Sequence, residues 1–179
     1  MSIDEILLLN DDQIDYAGLS DETLRDLALA EDMFIATSAL SELRSRKSYL
    51  VVPVARSILD EALGDQFLRS SALETLFTFD QAQALTYISS QSAHADPSLV
   101  HTMMELMVEN SDVFDSSPAA TRTVARRVAE LSLQEMGLDA ELYDTFQTVY
   151  RDATRDRRRF SEEEGVLRQG GGGVNTAPD

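Results

Sequence analysis

The residue types best suited to acid–base or metal chemistry are scarce in this sequence. Histidine is the commonest general base near neutral pH, and the 179 residues include two, His94 and His101. His101 lies four residues before Glu105, which puts both side chains on one side of a helix, but a zinc site needs three or four ligands. The surrounding segment supplies no others, so we predict no metal site and expect His101 to have a helix-surface or packing role.

Other patterns that carry chemistry are incomplete. Asn10, Asp11, Asp12 and Asp15 bring oxygen ligands together, but they lack the mid-loop glycine and late glutamate of an EF-hand calcium loop. A phosphate-binding loop requires Lys followed by Ser or Thr after its glycines, and the glycine run near the C-terminus is not followed by these residues. No serine occupies a Gly-x-Ser-x-Gly motif, and the chain has no cysteine to supply a thiolate. We therefore predict no catalytic residue, no cofactor and no enzymatic activity.

The charge balance is strongly negative. Thirty-two acidic and 15 basic residues give a formal net charge of −17 and a pI near 4.3. A field of this sign repels nucleic-acid phosphate and anionic lipid headgroups. We expect no nucleic-acid and no membrane partner, and a basic protein is the favoured partner.

The acidic residues are concentrated at the N-terminus. Residues 1–32 contain ten acidic side chains and a single basic one, Arg25. Such a segment serves either as a solubilising cap on the end of the fold or as an electrostatic docking surface for a cationic partner, and the sequence favours neither. The candidate partner-binding residues are Asp11, Asp12, Asp15, Tyr16, Asp21, Glu22 and Asp26.

The two ends of the chain carry further signals. Arg155, Arg157, Arg158 and Arg159 form a basic cluster near the C-terminus, which we interpret as a helix end where cations interact with the helix dipole.

The acidic residues after Met1 do not resemble a secretory signal. No apolar run reaches the roughly 18 residues of a membrane span. Because zero cysteines also fit a reducing compartment, we expect a cytoplasmic protein.

An internal repeat organises much of the sequence. Residues 32–43 align with residues 65–76 at an offset of 33, and six of the twelve positions are identical: one Asp, Phe, Ser and Ala and two Leu. A fainter third copy begins at Asp96, with Met103, Met104 and Met107 at apolar positions, where we interpret them as core residues. Each copy has apolar residues at helical spacing. Asp32 and Asp65 occupy the N-cap position.

Further amphipathic helices are predicted around the copies. One spans residues 51–62, with Pro53 in its first turn and Gly64 beyond its end. Others begin near residues 20, 80, 118 and 139, and the last has Val149 among the residues of its apolar side. Ser2 and Glu5 form a capping-box pattern before residues 6–9, which we expect to be a short helix or a strand. No hairpin signal occurs, so the prediction is an all-α fold of seven or eight helices. We expect a single α-helical repeat domain at residues 1–160 and a disordered Gly-rich tail at residues 161–179.

The segment Asp65-Gln-Phe-Leu-Arg-Ser-Ser-Ala-Leu-Glu-Thr-Leu resembles the first helix of HEAT-like repeats. The shared features are a capping Asp, an apolar residue followed by Arg, and then small and Leu positions. The resemblance covers about residues 20–136. It implies antiparallel helix pairs stacked into a short α-solenoid, with a helical extension at each end. Such scaffolds mostly bind proteins, and some small bacterial members neutralise toxins.

We therefore predict a non-catalytic protein-binding module, most specifically an acidic inhibitor or immunity-type protein that masks a basic partner surface. Tyr16, Phe34 or Tyr49 would supply buried anchors. The alternative is a regulatory or structural adaptor that binds a peptide or helix in the concave face, through exposed positions of residues 53–63 or 80–90. A third hypothesis, an enzyme or lyase acting on a bound pigment, is disfavoured because nothing positions a base.

Overall fold

The computed structural model describes residues 3–131 and 140–151, and within these ranges the chain is helical and contains no strand. The all-α prediction is confirmed. Three short 3-10 turns occupy Asp11–Gln13, Tyr16–Gly18 and Ser92–His94. The α-helices are α1 (Ile3–Ile6), α2 (Asp21–Ala28), α3 (Met33–Ser45), α4 (Val51–Asp60), α5 (Gln66–Phe79), α6 (Gln81–Gln91), α7 (Pro97–Glu109), α8 (Ser111–Asp115), α9 (Pro118–Glu130) and α10 (Ala140–Val149).

The repeated aspartates cap three of these helices. At the start of α3, Asp32 accepts hydrogen bonds from two backbone amides at 3.0 and 3.1 Å. Asp65 on α5 and Asp96 on α7 each accept one bond, from the amide three residues later, at 2.9 and 3.0 Å. Each cap of this kind stabilises a helix by about 1 kcal/mol. The predicted N-caps are confirmed.

The repeated apolar positions form the core. Equivalent residues of all three copies have almost no exposed surface: Ala39, Leu40, Leu43, Ala72, Leu73, Leu76, Met103, Met104 and Met107. The prediction that Met103, Met104 and Met107 are core residues is confirmed.

The helices that carry the repeat pack side by side in sequence order, α3 on α5 and α5 on α7. Arg69, in the first turn of α5, pairs with the capping Asp96 of α7 at 3.2 Å. Arg44, in the last turn of α3, lies 3.6 Å from Glu74 in the C-terminal half of α5. These contacts join corresponding ends, so α3, α5 and α7 begin at the same edge of the molecule.

Other helices run against this row. The start of α2 meets the end of α3, where Asp21 pairs with Arg46 at 3.2 Å. Near the end of α9, Arg127 donates two hydrogen bonds to the carbonyl of Ala95, just before α7. α4 packs on α5, α6 on α9, and α10 on α7. α2 and α9 are therefore antiparallel to the repeat helices that they contact.

The connection between α4 and α5 depends on Gly64. Its φ is +64°, in the left-handed region, and an added Cβ would lie 2.5 Å from a methyl carbon of Leu68. The sequence predicted this glycine just beyond the helix that starts at residue 51, although α4 ends at Asp60 rather than at residue 62.

Several expectations need correction or lie outside the described residues. The five-residue helix α8 was not predicted, and residues 7–9, expected to continue a short helix or a strand, form neither because the helix ends at Ile6. Val149, expected on the inward side of the last helix, is exposed. The basic cluster Arg155, Arg157, Arg158 and Arg159 and the tail at residues 161–179 lie outside the described residues. Within the described ranges, no helix has the length and apolar character needed to cross a membrane.

Candidate partner-binding face

Arg46 attaches the acidic N-terminal segment to α3. Its guanidinium donates hydrogen bonds to three backbone sites around the second 3-10 turn: the carbonyls of Tyr16 at 2.7 Å, Ala17 at 2.9 Å and Leu19 at 2.7 Å. The planar fork of an arginine suits several acceptors at once. This residue, near the end of α3, therefore fixes the backbone immediately after Asp15.

The remaining guanidinium hydrogen bonds of Arg46 reach carboxylates. Nε donates to Glu42 at 2.7 Å and Nη1 to Asp21 at 3.2 Å. The hydrogen bond to Glu42, and then the neighbouring negative charges, hold the pKa of Arg46 above its usual value. Asp21 also accepts a hydrogen bond from the hydroxyl of Ser48. Asp21 is therefore a structural link between α2 and the end of α3.

Glu22 and Tyr49 form the next part of the face. The Tyr49 hydroxyl donates to Glu22 at 3.0 Å, and this contact raises the pKa of Tyr49. The pKa of Glu22 is lowered, first by its own backbone N–H and then by Tyr49. The Tyr49 side chain is nevertheless 74% exposed, so its ring remains available to another molecule.

Asp11 and Tyr16 hold the first part of the segment. The Tyr16 hydroxyl donates to Asp11 at 2.7 Å, and burial together with this carboxylate raises the pKa of Tyr16. Ile14, between them, is buried in the core cluster. The hydroxyls of Tyr16 and Tyr49 are therefore both hydrogen-bonded within the chain, but the Tyr16 side chain packs against the core whereas Tyr49 is largely exposed.

The seven candidate residues differ in whether their side chains already have a hydrogen-bond or ion-pair partner within the chain. Asp26 is paired with Arg25 at 2.6 Å, and four others take part in the contacts above. Asp12 and Asp15 are exposed, and their carboxylates have no hydrogen bond or ion pair within the described ranges. The acidic N-terminal face, meaning Asp11, Asp12, Asp15, Tyr16, Asp21, Glu22 and Asp26, therefore presents two free carboxylates on a fixed backbone.

Exposed aromatic side chains are divided between two places. Tyr49 lies with the acidic N-terminal face, whereas Phe34 lies at the start of α3, at the opposite end of that helix. Phe67 is also exposed, and sequence reasoning missed it as a candidate binding residue. The internal repeat could have identified it, because Phe67 aligns with Phe34, which was a candidate anchor.

The two histidines lie in different elements of the fold. His101 Nε2 lies 3.4 Å from Glu105, and His94 is exposed in a 3-10 turn. No group of three or more metal-binding side chains occurs in the part of the chain that the structure describes. Recognition of cationic groups by exposed carboxylates is the chemistry that the face supports. No protein-family model, curated protein or solved structure matches this chain.

Proposed function

We propose that this chain is a non-catalytic protein-binding module whose acidic N-terminal face masks a basic surface on a partner protein, as an inhibitor or immunity-type protein does. The observation that carries the proposal is the pair of exposed carboxylates, Asp12 and Asp15, which are unpaired within the described residues and lie on a segment that Arg46 attaches to α3. A surface that is already ordered loses less entropy on binding, and complementary charge accelerates association.

Tyr49 supplies the apolar contact that such a face needs. Charge alone gives fast but weak association, and affinity depends on a few anchors that become buried. The Tyr49 ring is largely exposed, and its hydroxyl is oriented by Glu22. An aromatic ring held beside carboxylates suits a partner with an apolar pocket rimmed by Lys or Arg.

The scaffold in this proposal is a short HEAT-like solenoid of antiparallel helix pairs, with α1 and α10 as helical extensions. Its support is the parallel row of α3, α5 and α7, in which each repeat helix contacts the next. Nearest-neighbour packing of this kind is the basis of repeat architectures. The acidic N-terminal face would then cover the first unit and serve both as its cap and as a binding surface.

The adaptor alternative has weaker support. It requires a peptide or helix to bind exposed positions of residues 53–63 or 80–90. The large exposed hydrophobic side chains of the described residues all lie outside these two segments. On α6 the exposed positions are mostly polar, as at Gln81, Gln83 and Thr86. Such a surface offers a peptide few apolar anchors.

Charge neutralisation tests the proposed function. The double variant Asp12→Asn, Asp15→Asn removes both free carboxylates, and Asp112→Asn, Asp115→Asn on α8 is a matched control that removes the same charge elsewhere on the surface. Each protein is immobilised and exposed to lysate from its source at low and high salt, and captured proteins are identified by mass spectrometry. We expect a basic protein that wild type and control retain and that the Asp12, Asp15 variant loses.

If both double variants lost the basic protein equally, its capture would depend only on the net charge of the chain, which contradicts binding by a specific face. Capture of acidic proteins alone, or of nothing at low salt, also contradicts it. The variant Thr86→Arg on α6 distinguishes the adaptor hypothesis from the proposed function. The adaptor hypothesis predicts that Thr86→Arg abolishes capture of the partner and that the Asp12, Asp15 variant still captures it.

A further inference from the structure

Phenylalanine recurs at an exposed position of the internal repeat. Phe34 and Phe67 are each the second residue of their helix, two positions after the capping aspartate, and their exposed fractions are 69% and 66%. The repeated aspartates cap the helices, and the repeated alanine and leucines are buried. The fold itself buries little of either phenylalanine, so their repetition points to contact with another molecule.

The two rings lie on one edge of the molecule. α3 and α5 pack together, and the contact between Arg44, in the last turn of α3, and Glu74, in the C-terminal half of α5, indicates that both helices begin at the same edge. Equivalent positions on adjacent packed helices are roughly 8–10 Å apart. Met33, next to Phe34, is also exposed. Together they make an apolar strip across the starts of two helices.

The surroundings of this strip are acidic. Glu31 and Glu61 are exposed in the connections that lead into α3 and α5, which end at the capping Asp32 and Asp65. Residues 29–34 and 61–67 contain no basic side chain. An exposed apolar strip with carboxylates in both flanking segments suits a ligand that combines apolar and cationic groups and disfavours an anionic one.

We propose that this phenylalanine edge, formed by Glu31, Met33, Phe34, Glu61 and Phe67, is a docking surface for a basic amphipathic polypeptide segment of a partner protein. Apolar side chains of the segment cover the two rings, and its Lys or Arg residues pair with the glutamates. An arginine stacked on a ring adds a cation–π contact. The edge lies at the opposite end of α3 from Arg46, so this inference does not depend on the proposed function.

Tryptophan substitution tests where such a segment binds. The chain has no tryptophan, so Phe34→Trp, Phe67→Trp and Tyr49→Trp each introduce one fluorophore at an exposed site. The probe is a synthetic peptide of Leu and Lys in an amphipathic helical pattern. On titration, we expect the emission of the Phe34→Trp and Phe67→Trp variants to shift to shorter wavelength, and that of the Tyr49→Trp variant to stay unchanged. A shift confined to Tyr49→Trp would place the peptide on the acidic N-terminal face and overturn the inference, as would no shift in any variant.

A second measurement distinguishes binding at the phenylalanine edge from non-specific binding to exposed apolar side chains. The double variant Phe34→Ser, Phe67→Ser should bind the fluorescein-labelled Leu and Lys peptide at least tenfold more weakly than wild type, because it removes both anchors. Leu8→Ser, Val149→Ser removes two exposed apolar side chains elsewhere and should bind like wild type. Equal weakening in the two double variants, or tight binding of a Leu and Glu peptide by wild type, would overturn the inference.

Discussion

Tyr150 links the end of α10 to α7, and its replacement by phenylalanine tests this contact. The hydroxyl donates to the carbonyl of Met107 at 2.7 Å, and the side chain is only 4% exposed. Met107 lies in the last turn of α7, where carbonyls lack partners in their own helix. Tyr150→Phe leaves this buried acceptor unpaired, so we expect the free energy of unfolding to fall by about 1–3 kcal/mol.

The same hydroxyl makes the contact sensitive to alkaline pH. Burial, and then the negative charges of Asp115 and Asp112, raise the pKa of Tyr150 from its ordinary 10.0 to about 12. Because the folded pKa is the higher one, the stabilisation is complete below the unfolded value and is lost as pH rises through the folded value. The pKa shift corresponds to at most about 2.7 kcal/mol of the free energy of unfolding. About 1.4 kcal/mol of this is lost by about pH 11.

Urea unfolding followed by circular dichroism measures both effects. Wild type, Tyr150→Phe and the control Tyr143→Phe are compared near pH 8 and near pH 11. Tyr143 is on the same helix and is partly buried. We expect Tyr150→Phe to be less stable near pH 8 and to lose about 1.4 kcal/mol less than wild type on going to about pH 11, while Tyr143→Phe follows wild type. An unchanged free energy near pH 8, or an equal gap between wild type and Tyr150→Phe at both pH values, would refute the reasoning.

Three further substitutions test the fold. Asp65→Ala removes the cap of α5 and should cost about 1 kcal/mol in urea unfolding, whereas Asp12→Ala should leave stability unchanged. Phe114→Ala removes a fully buried ring stacked on Phe77 at 5.7 Å between centroids, and we expect a loss of about 3–5 kcal/mol. Gly64→Ala places a side chain at positive φ against Leu68 and should lower the thermal midpoint by more than Asp12→Ala does, because the strain exceeds about 1 kcal/mol.

Local signals account for the parts of the fold that the sequence predicts well. The caps at Asp32, Asp65 and Asp96 and the apolar stripe of each repeat lie within a few residues of the structure they specify, so they can be read directly. α8 was missed because five residues are too few for a helical period to be recognised, even though Phe114 within it is fully buried.

Long-range contacts explain what the sequence did not predict at the candidate site. Arg46 lies 25 to 30 residues from the groups that it binds in the acidic segment, and no local pattern identifies those partners. The sequence therefore grouped seven residues by charge and proximity, without separating paired carboxylates such as Asp21 from the exposed Asp12 and Asp15. Only the packing of the segment on α3 makes that distinction.

The attachment through Arg46 has a practical consequence. Three of its hydrogen bonds join the guanidinium to backbone carbonyls, and neither group gains or loses a proton over the range in which proteins are handled. High salt would screen the exposed carboxylates while these three hydrogen bonds held the backbone in place. A column carrying this protein should release its captured partner on salt elution and be ready for use again once the salt is washed out.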